Sequence, residues 1–275
     1  MFPLNALKNS LAKLSAAAAL VAGAHIAGAF AAPRAAADEI LVFAAASLSN
    51  ALRELAPAHK TATGDTAKFN FASSGALSRQ IKEGAPADVI FSADELRVDQ
   101  LENAGLLAPA TRKTLLGNAL VIVVHKDGGA AITKPADLLG RGVRRVGIGE
   151  PATVPAGTYT KEYLTSLKLW DGVAAKSVWL DNVRSVLAAV EAGNADAGFV
   201  YKTDALISKK VKIAYDVPLA EGPKITYPAA VVKASKSPDA ARRYLAFLES
   251  PAAKTVFRKH GFAPVEAKGD KKTAK

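Results

Sequence analysis

Along the chain, short apolar runs alternate with apolar residues at helical spacing, and the alternation predicts strands and helices in turn. Val42-Phe43-Ala44-Ala45-Ala46 reads as a short strand running into Ser47. Behind it Leu48, Leu52 and Leu55 fall at i, i+4 and i+7, a helical stripe with Ser47 placed as its N-cap. The same arrangement returns at Lys68–Ala72, whose aromatics alternate with period two, followed by Ser73-Ser74-Gly75 and the pair Leu77 and Ile81. A buried-type strand at Val89–Phe91 and a helix over Leu96–Leu101 complete a β-α-β-α-β-α order, which requires a parallel sheet with helices on its faces.

Gly117-Asn118 interrupts this order before Ala119–Val124, an unbroken apolar strand of the kind buried on both faces, and the break marks a crossing into a second block. There Pro135–Leu139 predicts a short helix and Arg145–Gly149 a strand. Pro155 suits the first turn of a helix carrying Tyr159, Tyr163, Leu164 and Leu167, and Gly157 allows a close backbone approach. Val178-Trp179-Leu180 is a strand, Asp181 or Asn182 caps, and Val183, Val186, Leu187 and Val190 form the next helical stripe. Ala197–Tyr201 is a further strand, with Thr203 placed as the cap of another turn, and Val211–Ala214 closes the block. A strand over Thr226–Val232 and helices over Pro238–Leu248 and Pro251–His260 follow. No internal repeat is present.

The N-terminal run departs from this pattern. Lys8 and Lys13 precede an apolar stretch, Leu14–Ala24, and then small residues, the form of a cleaved secretory signal peptide spanning residues 1–37, with cleavage after Ala31 or Ala37. Cysteine is absent, which excludes disulfides, thiolate metal sites, a cysteine nucleophile and a lipid-anchored cysteine, so the exported form is expected free in a bacterial periplasm. The rest, half hydrophobic and 22% charged over 275 residues, is ordinary globular composition with room for two domains. Of the net charge of +11, Lys8, Lys13 and Arg34 supply three with no acidic residue before Asp38, which leaves +8 beyond the leader. The charges are scattered, unlike a nucleic-acid interface, and the basic cluster at residues 267–275 reads as a solvated tail.

Catalytic chemistry is thinly supplied. There is no Gly-x-Ser-x-Gly, His-Glu-x-x-His, phosphate-binding loop or dinucleotide fingerprint, and His59, His125 and His260, far apart in sequence, read as surface residues. What recurs is a helix start beside a strand end, four times in two blocks. A helix N-terminus presents unpaired N–H groups and a positive dipole end, and ligands of open α/β sheets gather off the carboxyl ends of strands. The pattern describes a trap for an anion.

Six segments carry a resemblance to a known family: Phe43–Leu48, Phe71-Ala72-Ser73-Ser74, Gly84–Asp88, Thr114–Asn118, Val154-Pro155-Ala156-Gly157 and Asp181-Asn182-Val183-Arg184. In this order they resemble the periplasmic molybdate-binding proteins of ABC transporters, over about residues 40–262. The resemblance implies an α/β, two-lobed type II periplasmic binding fold, each lobe a mainly parallel sheet flanked by helices, with the ligand cleft between them. Lobe 1 is expected from residues 38–117 plus 227–266 and lobe 2 from 118–226. It further implies that Ser47, Ser74 and Tyr201, with the backbone amides of Ala156 and Val183, bind molybdate and tungstate. The expected partners are the ion and a membrane permease. No cofactor, metal, enzymatic activity or nucleic acid is expected, and the protein is expected to be a monomer. Gly75 departs from the family, which often carries a third serine there. Asp181 is expected to cap its helix with its charge turned from the anion. The alternatives are a binder of another tetrahedral oxyanion such as sulfate and, more distantly, a secreted serine hydrolase using Ser47 or Ser74.

Overall fold

The computed structural model describes residues 37–265, so all but the last residue of the expected signal peptide, and the whole basic tail, lie outside the described residues. The chain begins with β1 (Glu39–Ala45), a 3-10 turn at Ala46–Leu48 and α1 (Ser49–Thr63). It continues through β2 (Thr66–Ala72), α2 (Ser74–Lys82), β3 (Val89–Phe91), α3 (Glu95–Asn103) and β4 (Lys113–Asn118). A second block holds β5 (Leu120–His125), β6 (Val146–Gly149), α4 (Pro155–Ser166), α5 (Trp170–Ala174) and β7 (Ser177–Leu180). It ends with α6 (Val183–Glu191), β8 (Ala197–Tyr201), α7 (Lys202–Ile207) and β9 (Val211–Asp216). The chain then returns through β10 (Ile225–Val231), α8 (Pro238–Leu248), α9 (Pro251–Lys259) and β11 (Ala263–Pro264).

Two sheets result, ordered β11-β4-β10-β3-β1-β2 and β7-β6-β8-β5-β9. Strands joined by helices are parallel: β1 with β2 and β3, and β6 with β7 and β8. Both sheets are nonetheless mixed rather than mainly parallel, because β10 pairs antiparallel with β3 and β4, and β5 with β8 and β9. The cause lies at the crossing. Only Ala119 separates β4 from β5, so one extended run passes through both sheets without a helix to reverse it, and its neighbours lie antiparallel to it. Residues 121–124 of β5 are wholly buried, as an unbroken apolar strand covered on both faces must be.

The carboxyl ends of the parallel strands of both sheets, Ala45, Ala72 and Phe91 on one side and Gly149, Leu180 and Tyr201 on the other, precede the helix starts that form the site. Gly157 fits its role in this packing, since a Cβ there would lie 1.8 Å from the Gly149 carbonyl oxygen.

Three local expectations are corrected. Ser47 does not cap α1: it lies inside the 3-10 turn and Leu48 occupies the cap position. Thr203 lies within α7, where its hydroxyl accepts from the Asn118 amide at 2.9 Å. His59 is fully buried beside Tyr244 and Phe247, and burial holds its pKa below the usual imidazole value. Its place on the buried face of α1 with Leu52 and Leu55 explains this.

Candidate functional site

Ser47, Ser74, Ala156, Val183 and Tyr201 all line one small pocket, about 210 Å³ of empty space counted to its opening. Its walls come from both blocks: the ends of β1 and β2 with Ala93 on one side, the starts of α4 and α6 with the end of β8 on the other. No carboxylate, lysine, arginine or histidine contributes to the lining.

The two serine hydroxyls are each hydrogen-bonded from behind the pocket. The Asn118 amide is oriented by the Ala119 N–H, which donates to Asn118 Oδ1 at 2.9 Å, so Asn118 Nδ2 donates to the Tyr227 hydroxyl at 3.1 Å. The Tyr227 hydroxyl shares a hydrogen bond with Ser47 Oγ, 3.0 Å away, which either oxygen can donate, and with the proton supplied by Tyr227 the Ser47 proton is free for the pocket. Ser74 follows the same logic by another route. It is the first residue of α2, fully buried, and its Oγ accepts the Ala93 N–H at 2.9 Å, again leaving its proton to be donated. Tyr201 is 2% exposed and its hydroxyl has no partner, and burial pushes its pKa well above the phenol range. It is therefore a protonated, unused donor.

The two backbone positions lie in first turns, where N–H groups have no partner within the helix. Pro155 opens α4 and Ala156 follows it. At α6 the cap is Asn182, whose Oδ1 accepts from the N–H groups of Arg184 at 2.9 Å and Ser185 at 3.0 Å, and Val183 stands first in the helix. This corrects the expectation that Asp181 caps. Asp181 is exposed and accepts from the Ser185 hydroxyl at 2.6 Å, outside the pocket.

Sequence reasoning missed Tyr227, Asn118 as its support, and Arg184. Arg184 leaves α6 to donate to the Ser47 carbonyl at 3.1 Å and to Asn50 Oδ1 at 2.9 Å, while its Nε lies 2.6 Å from Asp204, a fully buried carboxylate. Burial pushes the Asp204 pKa up to about 6 despite the guanidinium beside it. The guanidinium is thus neutralised within the protein and braces the turn that carries Ser47. The signal for it was its place in Asp181-Asn182-Val183-Arg184; Tyr227 had none beyond a strand pattern.

A neutral pocket of convergent donors suits an anion that carries no proton. Among the described residues no group of acidic and histidine side chains is placed to hold a metal ion, and no helix is long and apolar enough to cross a membrane. Residues 40–263 match the family described as bacterial extracellular solute-binding protein. YvgL of Bacillus subtilis, a candidate ABC transporter substrate-binding lipoprotein, is 42% identical over 81% of this chain and 85% of its own. The molybdate-binding protein ModA of Escherichia coli is 40% identical over 82% of this chain and 90% of its own. Among solved structures, the periplasmic molybdate-binding protein of Azotobacter vinelandii superimposes with a TM-score of 0.75 at 27% identity, covering 82% of this chain and all of that one. With a donor-lined cleft between two mixed α/β lobes and this match over nearly its whole described length, the chain belongs to the bacterial extracellular solute-binding proteins.

Proposed function

We propose that this protein captures molybdate, and tungstate with it, in the periplasm and delivers the ion to the membrane permease of an ABC importer. It acts as a monomer, without cofactor or catalysis, after removal of its leader. The observation that carries the reading is the buried Tyr201 hydroxyl, unpartnered and part of a pocket whose serines are both hydrogen-bonded from behind. The hydroxyls of Ser47, Ser74 and Tyr201 and the amides of Ala156 and Val183 supply the hydrogen bonds. Each is worth roughly 1.5–3 kcal/mol to a charged group, and the starts of α4 and α6 add dipole stabilisation. Together these offset dehydration of a dianion without a cation in the cleft. A hydrolytic use of either serine lacks a base, since no histidine lines the pocket.

Phosphate near neutral pH retains a proton that needs an acceptor. A serine that turned its remaining lone pair to that proton would turn its own proton away from the ion, and backbone amides cannot accept. Sulfate carries no proton and is disfavoured by its size alone. The test is a thermal-shift and calorimetric panel of molybdate, tungstate, sulfate and phosphate. Molybdate and tungstate are expected to raise Tm strongly, a ligand at a hundredfold excess over Kd adding about 2.7 kcal/mol. An unchanged melting curve in saturating molybdate, or phosphate binding as tightly as molybdate, refutes the reading.

A further inference from the structure

Besides the Arg184 bonds to Ser47 and Asn50, further bonds cross between the two blocks beside the pocket. At its rim the Gly75 N–H, immediately after Ser74, donates across the cleft to the Thr153 carbonyl at 3.0 Å. From α3, Arg97 reaches the same turn, with Nη2 donating to the Ala152 carbonyl at 2.6 Å. Arg97 is only 7% exposed, and its helix is capped by Asp94, which accepts the Arg97 N–H. The gripped turn is closed on itself by bonds from the N–H groups of Thr153 and Val154 to the Glu150 carbonyl at 3.0 and 2.8 Å. It leads directly into Pro155 and Ala156, so a shift of the turn is passed to the wall of the pocket opposite Ser74.

Gly75 admits no substitute in this arrangement. A Cβ built there lies 2.4 Å from the Thr153 carbonyl oxygen and 2.8 Å from its Cα. These are backbone atoms of a turn bonded to itself, so no side-chain rotation relieves the overlap and the whole turn must retreat.

We infer that the backbone contact of Gly75 with Thr153 is the stop that sets the closed width of the cleft, and that Arg97 is the positioning residue that draws the turn against it. Through this stop the chain sets how closely Ser74 and the Ala156 amide approach across the bound ion, and hence how long the ion stays and which size of oxyanion is held. The inference rests on the proposed binding of a tetrahedral oxyanion in this pocket. Ser47, Ser74 and Tyr201 are each 2% exposed or less, so an ion enters and leaves only when the lobes part. Contacts made only on closure act on release more than on capture.

The experiment measures molybdate association and dissociation by stopped flow, and the ligand-induced change in radius of gyration by small-angle scattering. The proteins are wild type, Gly75→Ala, Arg97→Ala and Arg97→Lys. Gly75→Ala and Arg97→Ala are expected to raise the dissociation rate about tenfold or more with association changed less than about threefold. The ligand-bound form of Gly75→Ala is expected to be measurably less compact, and Arg97→Lys is expected to recover part of the loss. Melting of the ligand-free variants within a few degrees of wild type shows that they fold, because the contacts at issue lie between the lobes. Wild type failing to bind any oxyanion overturns the proposed function itself. Wild type binding molybdate while Gly75→Ala releases it at the wild-type rate from an equally compact complex overturns the stop alone.

Discussion

Ser47, Ser74 and Tyr201 reach one pocket but are held there in three different ways, and what holds them was not legible in the sequence. The motifs around them singled out the residues, but the hydroxyl bonded to Ser47 belongs to Tyr227, 180 residues away. Pairing at that separation leaves no local pattern. The two tyrosines predict different losses. Tyr201→Phe removes a bond to the ion and is expected to weaken molybdate binding by about 1.5–3 kcal/mol. Tyr227→Phe leaves the ion contacts in place but frees Ser47 to rotate, with an expected loss of about 0.5–1.5 kcal/mol, the worth of one neutral hydrogen bond. Calorimetry on both variants checks the order, and a Tyr227→Phe variant that binds molybdate as tightly as wild type would mean that Ser47 needs no orienting partner.

Among the elements, the helix starts were legible because strand ends, capping residues and apolar stripes are local. The choice of cap was less so. Asp181 and Asn182 are comparable N-caps by residue type, and Asn182 holds the role because its oxygen meets two N–H groups of α6. Asn182→Ala is expected to cost about 1 kcal/mol of stability, with a lower Tm, and also to weaken molybdate binding because Val183 follows the cap directly. Asp181→Ala is expected to leave affinity within about 0.5 kcal/mol, as for an exposed substitution. Thermal melts and calorimetry of the two variants decide the assignment. The 3-10 turn at Ala46–Leu48 was not legible: Ser47 has the residue type of a cap, and the long-range bond to Tyr227 directs its hydroxyl elsewhere.

For the whole molecule, Arg184 and Asp204 link the second sheet's helices to the Ser47 turn of the first. Removing the arginine strands a buried carboxylate. Arg184→Ala is expected to lose about 3–5 kcal/mol of stability at neutral pH, together with affinity for molybdate. The sign with pH follows from Asp204, whose folded pKa of about 6 lies above the value near 4 of an unfolded aspartate. Between these values the folded chain holds a proton that the unfolded chain has released, so the stability difference falls as pH rises. Without Arg184 the folded pKa moves higher still, so the variant is expected to regain stability on acidification toward pH 5 relative to wild type, and Asp204→Asn is expected to rescue it at neutral pH. Denaturant melts at both pH values test this, and a pH-independent deficit would show that the carboxylate is not its source. The α/β alternation in two blocks, three of the four helix starts and the absence of catalytic motifs were determined by the sequence alone, because periodicity and caps act over a few residues. The mixed direction of the sheets, the burial of His59, the orientation of Ser47, the neutralising of Arg184 and the contact of Gly75 with Thr153 were decided by the tertiary structure. Each depends on which distant backbone or side chain stands opposite, and that is set only when the two lobes are packed together.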